Sequence, residues 1–464
     1  MVEKFLRKIS TPARITAGSF VALIAIVTIV LTIPASHADE KTVSLIDAVF
    51  VATSAVCVVG LTPIDISTDL STFGQIVVMT AMQIGGLGLM TFTTVFYAAI
   101  GRRLPLVNNI IIQETFHHSP TTQVKQLLVY IISFTFIVEA VGAILYFASW
   151  TITGRFSGIG ETAWHAVFMS ITAFTNGGFS LYSDSIIGYQ TDYFTMFVSA
   201  FLILAGGIGF LVSYELKNFV DTWLRKTDKD RNLRLSVHTK ITLLTTLIVT
   251  LVATSVLFFY ESHNAFSHLS TGEGIANAFF YTVTPRSGGL QSISMLTFSD
   301  SSMLLIMILM FIGAGAGSTG GGIKVGTFGL MVAYMYARLR GKPQLSLWQR
   351  TVPKESIDKA VAVSAVVGFF VIVTALVLMS TETYSSSGYQ SRLKFVQVVF
   401  EAISAACTVG LSLDFTSELT YAGKAFLSVI MLIGRLSPLG LAIAITSRHR
   451  KAKYRYAEEN IIIG

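Results

Sequence analysis

Four short segments hold the residue types whose spacing could do chemistry: SAVCVVGL (54–61), TAFTNGGF (172–179), TVTPRSGGL (282–290) and SAACTVGL (404–411). They align on Gly60, Gly178, Gly289 and Gly410, each followed by Leu or Phe. For carbonyl oxygens to point at one axis, alternate residues must take positive φ or approach closely, and glycine does both without steric cost. Rings of carbonyl dipoles then replace the water of a large monovalent cation. The expected filter comprises Cys57, Val58, Val59 and Gly60; Thr175, Asn176, Gly177 and Gly178; Arg286, Ser287, Gly288 and Gly289; and Cys407, Thr408, Val409 and Gly410. Its ion-facing carbonyls are those of Val59, Gly60, Gly177, Gly178, Gly288, Gly289, Val409 and Gly410. Neighbouring polar side chains, Thr53, Ser54, Thr175, Asn176, Thr284, Ser287, Ser404 and Thr408, can support the loops or add ligands. Because the copies differ, the ring is pseudo-fourfold.

A second glycine signature follows each filter: IGGLG (84–88), AGGIG (205–209), IGAGAG (312–317) and IGRLSPLG (433–440). Its first glycines, Gly85, Gly206, Gly313 and Gly434, lie 25, 28, 24 and 24 residues beyond the filter glycines. Taken alone, glycines in an apolar span mark close helix packing. The third copy goes further, with six glycines in the ten residues 313–322. At ~0.8–1 kcal/mol for each Gly against Ala, a helix there would lose about 5–6 kcal/mol, so a loop is expected. A loop at membrane depth must be buried in protein or line water. Gly313, Gly315, Gly317, Ser318, Thr319, Gly320, Gly321 and Gly322 are therefore read as a gate beneath the filter, with Lys324 and Arg435 beside it. A mid-span arginine costs ~2.5–3.5 kcal/mol on insertion scales, so Arg435 is expected to face the aqueous cavity or to pair with carbonyls or a carboxylate. Lys324 either snorkels to the cytoplasm or points into the cavity. Arg286 is expected to turn behind the filter and pair with Glu401, and Glu139 is either a functional carboxylate or a helix-pairing one.

These residues need apolar elements to position them. In 464 residues, 52% are hydrophobic and 13% charged, which is a membrane composition. Runs near the ~20 residues that cross a bilayer fall at 15–34, 74–100, 124–149, 193–214, 241–260, 302–336 (interrupted), 359–379 and 424–446. Between the members of each pair lies a stretch too short to cross, near 44–56, 161–174, 272–284 and 394–406, and each reads as a re-entrant half-helix. The expected fold is all-α and integral to the membrane: four fused M1–P–M2 hairpins with eight transmembrane helices and four re-entrant pore loops. They occupy 1–100, 101–220, 221–340 with an intramembrane gating loop at 313–323, and 341–464 with a cytoplasmic C-terminal tail. With the N-terminus inside, the internal segments hold 24 of the 33 Lys and Arg, which predicts cytoplasmic termini and accounts for the net charge of +7 without nucleic acid. Asp65, Asp69, Asp184, Asp192, Asp300, Asp414 and Glu418 form a candidate cation-concentrating rim outside. The basic segments 217–240 and 338–358 are candidate docking surfaces for a regulator or anionic lipid. Two cysteines and the absence of HExxH, GxxxxGK[ST] and CxxC leave no enzyme signature.

Over essentially its full length the sequence resembles the Ktr/Trk/HKT superfamily of potassium transporters. The resemblance rests on the four filter segments, TPR (284–286), GAGAGSTGGGIK (313–324) and the pair Gly434–Arg435. It departs where Gly-Gly stands at 177–178 and 288–289, at Ser437, and in the glycine-rich STGGG (318–322). The resemblance implies a channel-like pore for K+ in the cell membrane, with filter roles for Gly60, Gly178, Gly289 and Gly410. It also implies a mobile intramembrane loop in the third copy and a pore arginine at Arg435. A homodimer resting on cytosolic, nucleotide-binding regulatory subunits of the RCK type (KtrA/TrkA-like) follows from it too, so nucleotide acts only through the regulator. The alternative is a sodium-coupled or sodium-permeable secondary cation transporter. Four repeats of one orientation disfavour rocking between inverted halves.

Overall fold

The computed structural model describes residues 12–39, 41–88, 121–225, 234–382 and 388–436. It is mostly helical, in the order α1 (Pro12–Leu31), α2 (Leu45–Cys57), α3 (Thr72–Leu87), α4 (Thr121–Ile152), α5 (Ile159–Thr175), α6 (Tyr193–Gly207), α7 (Phe210–Arg225), α8 (Val237–Glu261), α9 (Thr271–Val283), α10 (Asp300–Phe311), α11 (Val325–Leu339), α12 (Lys354–Glu382), α13 (Gly388–Ala406) and α14 (Tyr421–Arg435). One two-residue hairpin, β1 (Ser346–Leu347) with β2 (Arg350–Thr351), links α11 to α12. Seven of the fourteen helices start where a Ser, Thr or Asp side chain accepts an orphan backbone N–H: Ser44 for α2, Ser71 for α3, Asp192 for α6, Ser236 for α8, Ser270 for α9, Ser299 for α10 and Thr420 for α14.

The short helices α2, α5, α9 and α13 are the centre of the fold. Each is wedged between the two flanking helices of its own repeat and the second helix of the repeat before it. Thus α5 contacts α4, α6 and α3; α9 contacts α8, α10 and α6; and α13 contacts α12, α14 and α10. The ring closes because α14 of the last repeat packs on α2 of the first. There Lys424 Nζ meets Asp47 Oδ1 at 2.7 Å, a largely buried pair. A fully buried phenylalanine, Phe50, Phe168, Phe280 or Phe400, holds the middle of each short helix.

Residues 126–152, 237–261 and 354–382 are long and apolar enough to cross a membrane; residues 16–31 of α1, and α2, α3 and α10, are apolar but shorter. The span expected at 193–214 is interrupted: α6 stops at Gly207 and α7 leaves at 99° to it. Gly206, Gly207 and Gly209 weaken the helix there, and Gly209 takes φ +101°, outside the helical region. The interruption expected in 302–336 is present, with α10 ending at Phe311 and α11 beginning at Val325. The far ends of 74–100 and 424–446, Ser437 and the C-terminal tail lie outside the described residues.

Candidate functional site

The four aligned glycines come together. A Cβ on Gly60 would lie 2.7 Å from Gly178 Cα, one on Gly178 would lie 3.2 Å from Gly289 Cα, one on Gly289 would lie 3.3 Å from Gly410 Cα, and one on Gly410 would lie 3.1 Å from Gly60 Cα. Their φ values are +101°, +71°, +67° and +93°. Two residues earlier in every copy the chain is left-handed as well, at Val58, Asn176, Ser287 and Thr408. Left-handed residues thus alternate with Val59, Gly177, Gly288 and Val409, which turns neighbouring carbonyls toward a common side. These carbonyls crowd the ring: a Cβ on Gly410 would lie 2.1 Å from Val59 O, and one on Gly60 would lie 2.8 Å from Gly177 O.

Hydroxyls hold this backbone. Ser54 Oγ accepts the Gly60 N–H at 3.0 Å and Ser404 Oγ accepts the Gly410 N–H at 3.1 Å, the same bond in two repeats. Thr284 Oγ1 accepts from Leu290 N at 3.0 Å and donates to Leu290 O at 2.8 Å. Thr53 and Thr175 instead donate to carbonyls of their own helices, Val49 O and Ile171 O. Cys57 and Cys407 are fully buried free thiols behind the ring. Removing one cap should leave a buried N–H unpaired, at about 1–3 kcal/mol. The variant Ser404→Ala is expected to assemble normally but to discriminate less between monovalent cations, read by competition of rubidium uptake.

Arg286 does turn away from the ring, but not to Glu401. Its Nε donates to Thr282 O at 3.1 Å and its guanidinium reaches Thr250 Oγ1 on α8 of its own repeat. Glu401 accepts from Ser412 Oγ at 2.9 Å and from Thr416 Oγ1, anchoring the loop that leaves the fourth glycine. Each side chain finds its partners inside its own repeat. Glu139 accepts from Gln83 Nε2 at 2.9 and 3.0 Å, pairing α4 with α3.

Above the ring opens a vestibule of about 440 Å³ whose lining includes all four glycines and Asp65, Asp184 and Asp414. Of the other rim candidates, Asp69 pairs with Lys41, Asp192 caps α6, Asp300 lies in the first turn of α10, and Glu418 sits 3.9 Å from Lys394. Partial burial raises the Asp65 carboxyl, but hydrogen bonds from Ser183, Ser67 and Thr68 outweigh it and hold the group below its ordinary range. The vestibule therefore keeps a negative charge at neutral pH.

Beneath the ring lies the glycine loop. A Cβ on Gly320 would meet Ser287 Cβ at 2.7 Å, and one on Gly321 would meet Thr408 Oγ1 at 2.0 Å and Cys407 O at 2.7 Å. Gly321 N donates to Ser287 Oγ at 3.1 Å, and Asn176 Nδ2 donates to Thr319 Oγ1 at 2.6 Å. Arg435 reaches across with both ends of its guanidinium, to Thr319 O and to Gly85 O of the first repeat. Lys324 Nζ donates to Gly320 O at 2.7 Å. Both cations bind carbonyls, so Lys324 does not snorkel away from the loop. Gly313 pairs with the loop itself, its Cβ position 1.9 Å from Gly321 O, while Gly317 takes φ +67° and Gly322 φ +71°. Ser318 Oγ donates to Gly315 O at 2.7 Å. Two buried oxygens at this level, Asn176 Oδ1 and Thr408 Oγ1, have no partner among the described residues.

The loop also docks on the break between α6 and α7, a contact that hydropathy and spacing did not predict. Gly315 N donates to Gly207 O at 2.7 Å, Thr319 N to Gly206 O at 3.3 Å, and Phe210 N to Gly317 O at 3.0 Å. Three glycines in the five residues 205–209 were the available signal.

Residues 3–455 match the model of the TrkH family, cation transport protein. The chain belongs to this family. It is a membrane transporter and not an enzyme. Among curated relatives it is 34% identical to the Ktr system potassium uptake protein B of Vibrio alginolyticus over 97% of this chain and 94% of that one. It is also 34% identical to the Ktr system potassium uptake protein B of Bacillus subtilis, over 98% and 97%. The potassium/sodium uptake protein NtpJ of Enterococcus hirae is 31% identical over the whole of both chains. The crystal structure of the potassium transporter TrkH from Vibrio parahaemolyticus has the same fold, with a TM-score of 0.68 and 19% identity over 92% of this chain and 82% of that one.

Proposed function

We propose that this TrkH-family chain takes up potassium through a channel-like pore whose filter is the ring of Gly60, Gly178, Gly289 and Gly410. The convergence of four left-handed glycines at the floor of one acidic vestibule carries this reading. The carbonyls of Val59, Gly60, Gly177, Gly178, Gly288, Gly289, Val409 and Gly410 take the place of the ion's water. The glycine loop with Lys324 and Arg435 is the gate. In this reading the chain is four hairpins, at 1–100, 101–220, 221–340 and 341–464, crossing the cell membrane eight times with both termini cytoplasmic. It works as a homodimer on cytosolic nucleotide-binding subunits. Relatives named for Ktr potassium uptake support the ion and the system.

A second reading, a pore that also passes sodium, is supported by the Enterococcus relative named for both ions. Rubidium uptake into vesicles holding the purified chain, competed by potassium, sodium and caesium, separates the two. Potassium is expected to compete strongly and sodium weakly. Equal competition by sodium would sink the potassium preference, and absence of uptake in both native and loop-deleted chains would sink the pore.

A further inference from the structure

The helix α7 begins inside the span expected at 193–214, runs well past it and has no place in the filter, yet it is tied to the proposed gate. Its first residue, Phe210, gives its backbone N–H to Gly317 O, and the freed carbonyls of Gly206 and Gly207 are taken by Thr319 and Gly315. Gly209 sits so close that a Cβ there would lie 2.4 Å from Ala316 O. The break and the loop are therefore one interlocked unit.

The rest of α7 is built for a surface. It leaves α6 at 99°, so if the apolar α6 runs across the bilayer, α7 runs in its plane. Its inner side is fixed: the Tyr214 ring packs on Tyr130 of α4 at 5.1 Å, and Glu215 accepts from Ser236 N at 3.2 Å and Thr239 Oγ1 at 2.7 Å at the start of α8. Its outer side carries Phe219, Val220, Trp223 and Leu224, one helical stripe, with Trp223 72% and Leu224 64% exposed. The helix α7 contacts α8, whose Leu244, Leu247, Ile248 and Leu251 are exposed. From Phe210 to Arg234 the sequence holds six basic and four acidic residues. An apolar stripe with tryptophan, in a sequence segment rich in lysine and arginine and on a helix that lies in the membrane plane if α6 crosses it, fits the headgroup layer of a phospholipid bilayer.

We propose that α7 is an in-plane helix seated in the phospholipid headgroup layer and that, through the Gly206–Gly209 break, its seating holds the glycine loop on the axis. The lipid surface then biases the gate: a well-anchored α7 favours the docked loop, and a loosened α7 releases it. This rests on the gating role proposed above.

The full chain is reconstituted in phosphatidylcholine–phosphatidylglycerol vesicles, with and without brominated acyl chains. The fluorescence difference between the native protein and Trp223→Phe isolates Trp223. Brominated lipid is expected to quench that component strongly; no quenching means the stripe faces water or protein and overturns the proposal. The double variant Trp223→Ser/Leu224→Ser is expected to raise rubidium uptake about threefold by shifting the loop equilibrium, and to change nothing in a chain lacking 315–320. If that deletion raises uptake while the double variant leaves it at the native level, the lipid coupling fails and the gate stands. If the deletion itself has no effect, the gating role fails first. Should the double variant not assemble, Gly209→Ala tests the same interlock from inside the protein and is expected to raise uptake without altering Trp223 quenching; unchanged uptake overturns the coupling.

Discussion

Gly410→Ala is expected to reduce rubidium uptake by about 100-fold or more, equivalent to ~2.7 kcal/mol or more on the barrier, in a chain that still assembles. Two costs meet at this position. A left-handed φ of +93° disfavours any residue with a Cβ, by ~1–2 kcal/mol. The added methyl would also lie 2.1 Å from Val59 O, and that carbonyl has little room to retreat. The Val59 N–H is bonded to Ser54 O at 2.8 Å, and the next N–H, of Gly60, is held by Ser54 Oγ. Relief therefore requires the first-repeat loop to shift by about an ångström, and because the glycines touch in sequence around the ring, the others must follow. A ring of carbonyls that substitutes for hydration water loses its fit with such a shift. The control is Gly18→Ala in α1, where nothing lies within 4 Å of the added methyl, and uptake should stay at the native level. Native rate and ion preference in Gly410→Ala would place the conduction path elsewhere.

The parts of the site legible in the sequence are those set by local geometry. A positive φ with a neighbouring backbone in contact leaves room only for glycine, so Gly60, Gly178, Gly289 and Gly410 stand out in any reading. The left-handed residues two positions earlier do not, because Val58 and Thr408 are β-branched and by type among the least expected there. Their conformation is imposed by the short helices on one side and the ring on the other. The second glycine signature divides in the same way. Gly85, Gly206 and Gly434 lie where a Cβ would come within 2.0, 1.8 and 2.4 Å of Val56 O, Phe174 O and Ala406 O, so close packing against the end of the short helix accounts for them. Gly313 is the exception, because in its repeat the helix has given way to the loop. What hydropathy could not show is where backbone groups go once a helix breaks. The carbonyls of Gly206 and Gly207 are satisfied by residues more than a hundred positions later in the chain, and Arg286 and Glu401 choose partners by tertiary proximity, which charge complementarity alone does not predict.

Deleting 315–320 is expected to raise uptake at least about tenfold, the effect of removing ~1.4 kcal/mol from the barrier. The two ends of the cut lie side by side, since Ala314 N donates to Gly321 O at 3.2 Å. What is removed is the backbone that lies against Ser287 directly under the ring, together with its bonds to Asn176, Gly206, Gly207 and Phe210. At about 0.5–1.5 kcal/mol net for each such bond, the docked loop is held by several kcal/mol, enough to keep the undocked population small. The deletion has an opposing consequence, because Arg435 loses Thr319 O and Lys324 loses Gly320 O, leaving two cations beside the path. In a water-filled cavity, like charges ~4 Å apart repel by only ~1 kcal/mol, whereas backbone packed under the ring, in the proposed gate, would exclude the ion outright. Removal of the obstruction should therefore win, and adding Arg435→Gln to the deletion should raise uptake further. A deleted chain that is stable but carries no more rubidium than the native one would mean that the loop is a structural brace and that the barrier lies in the ring itself.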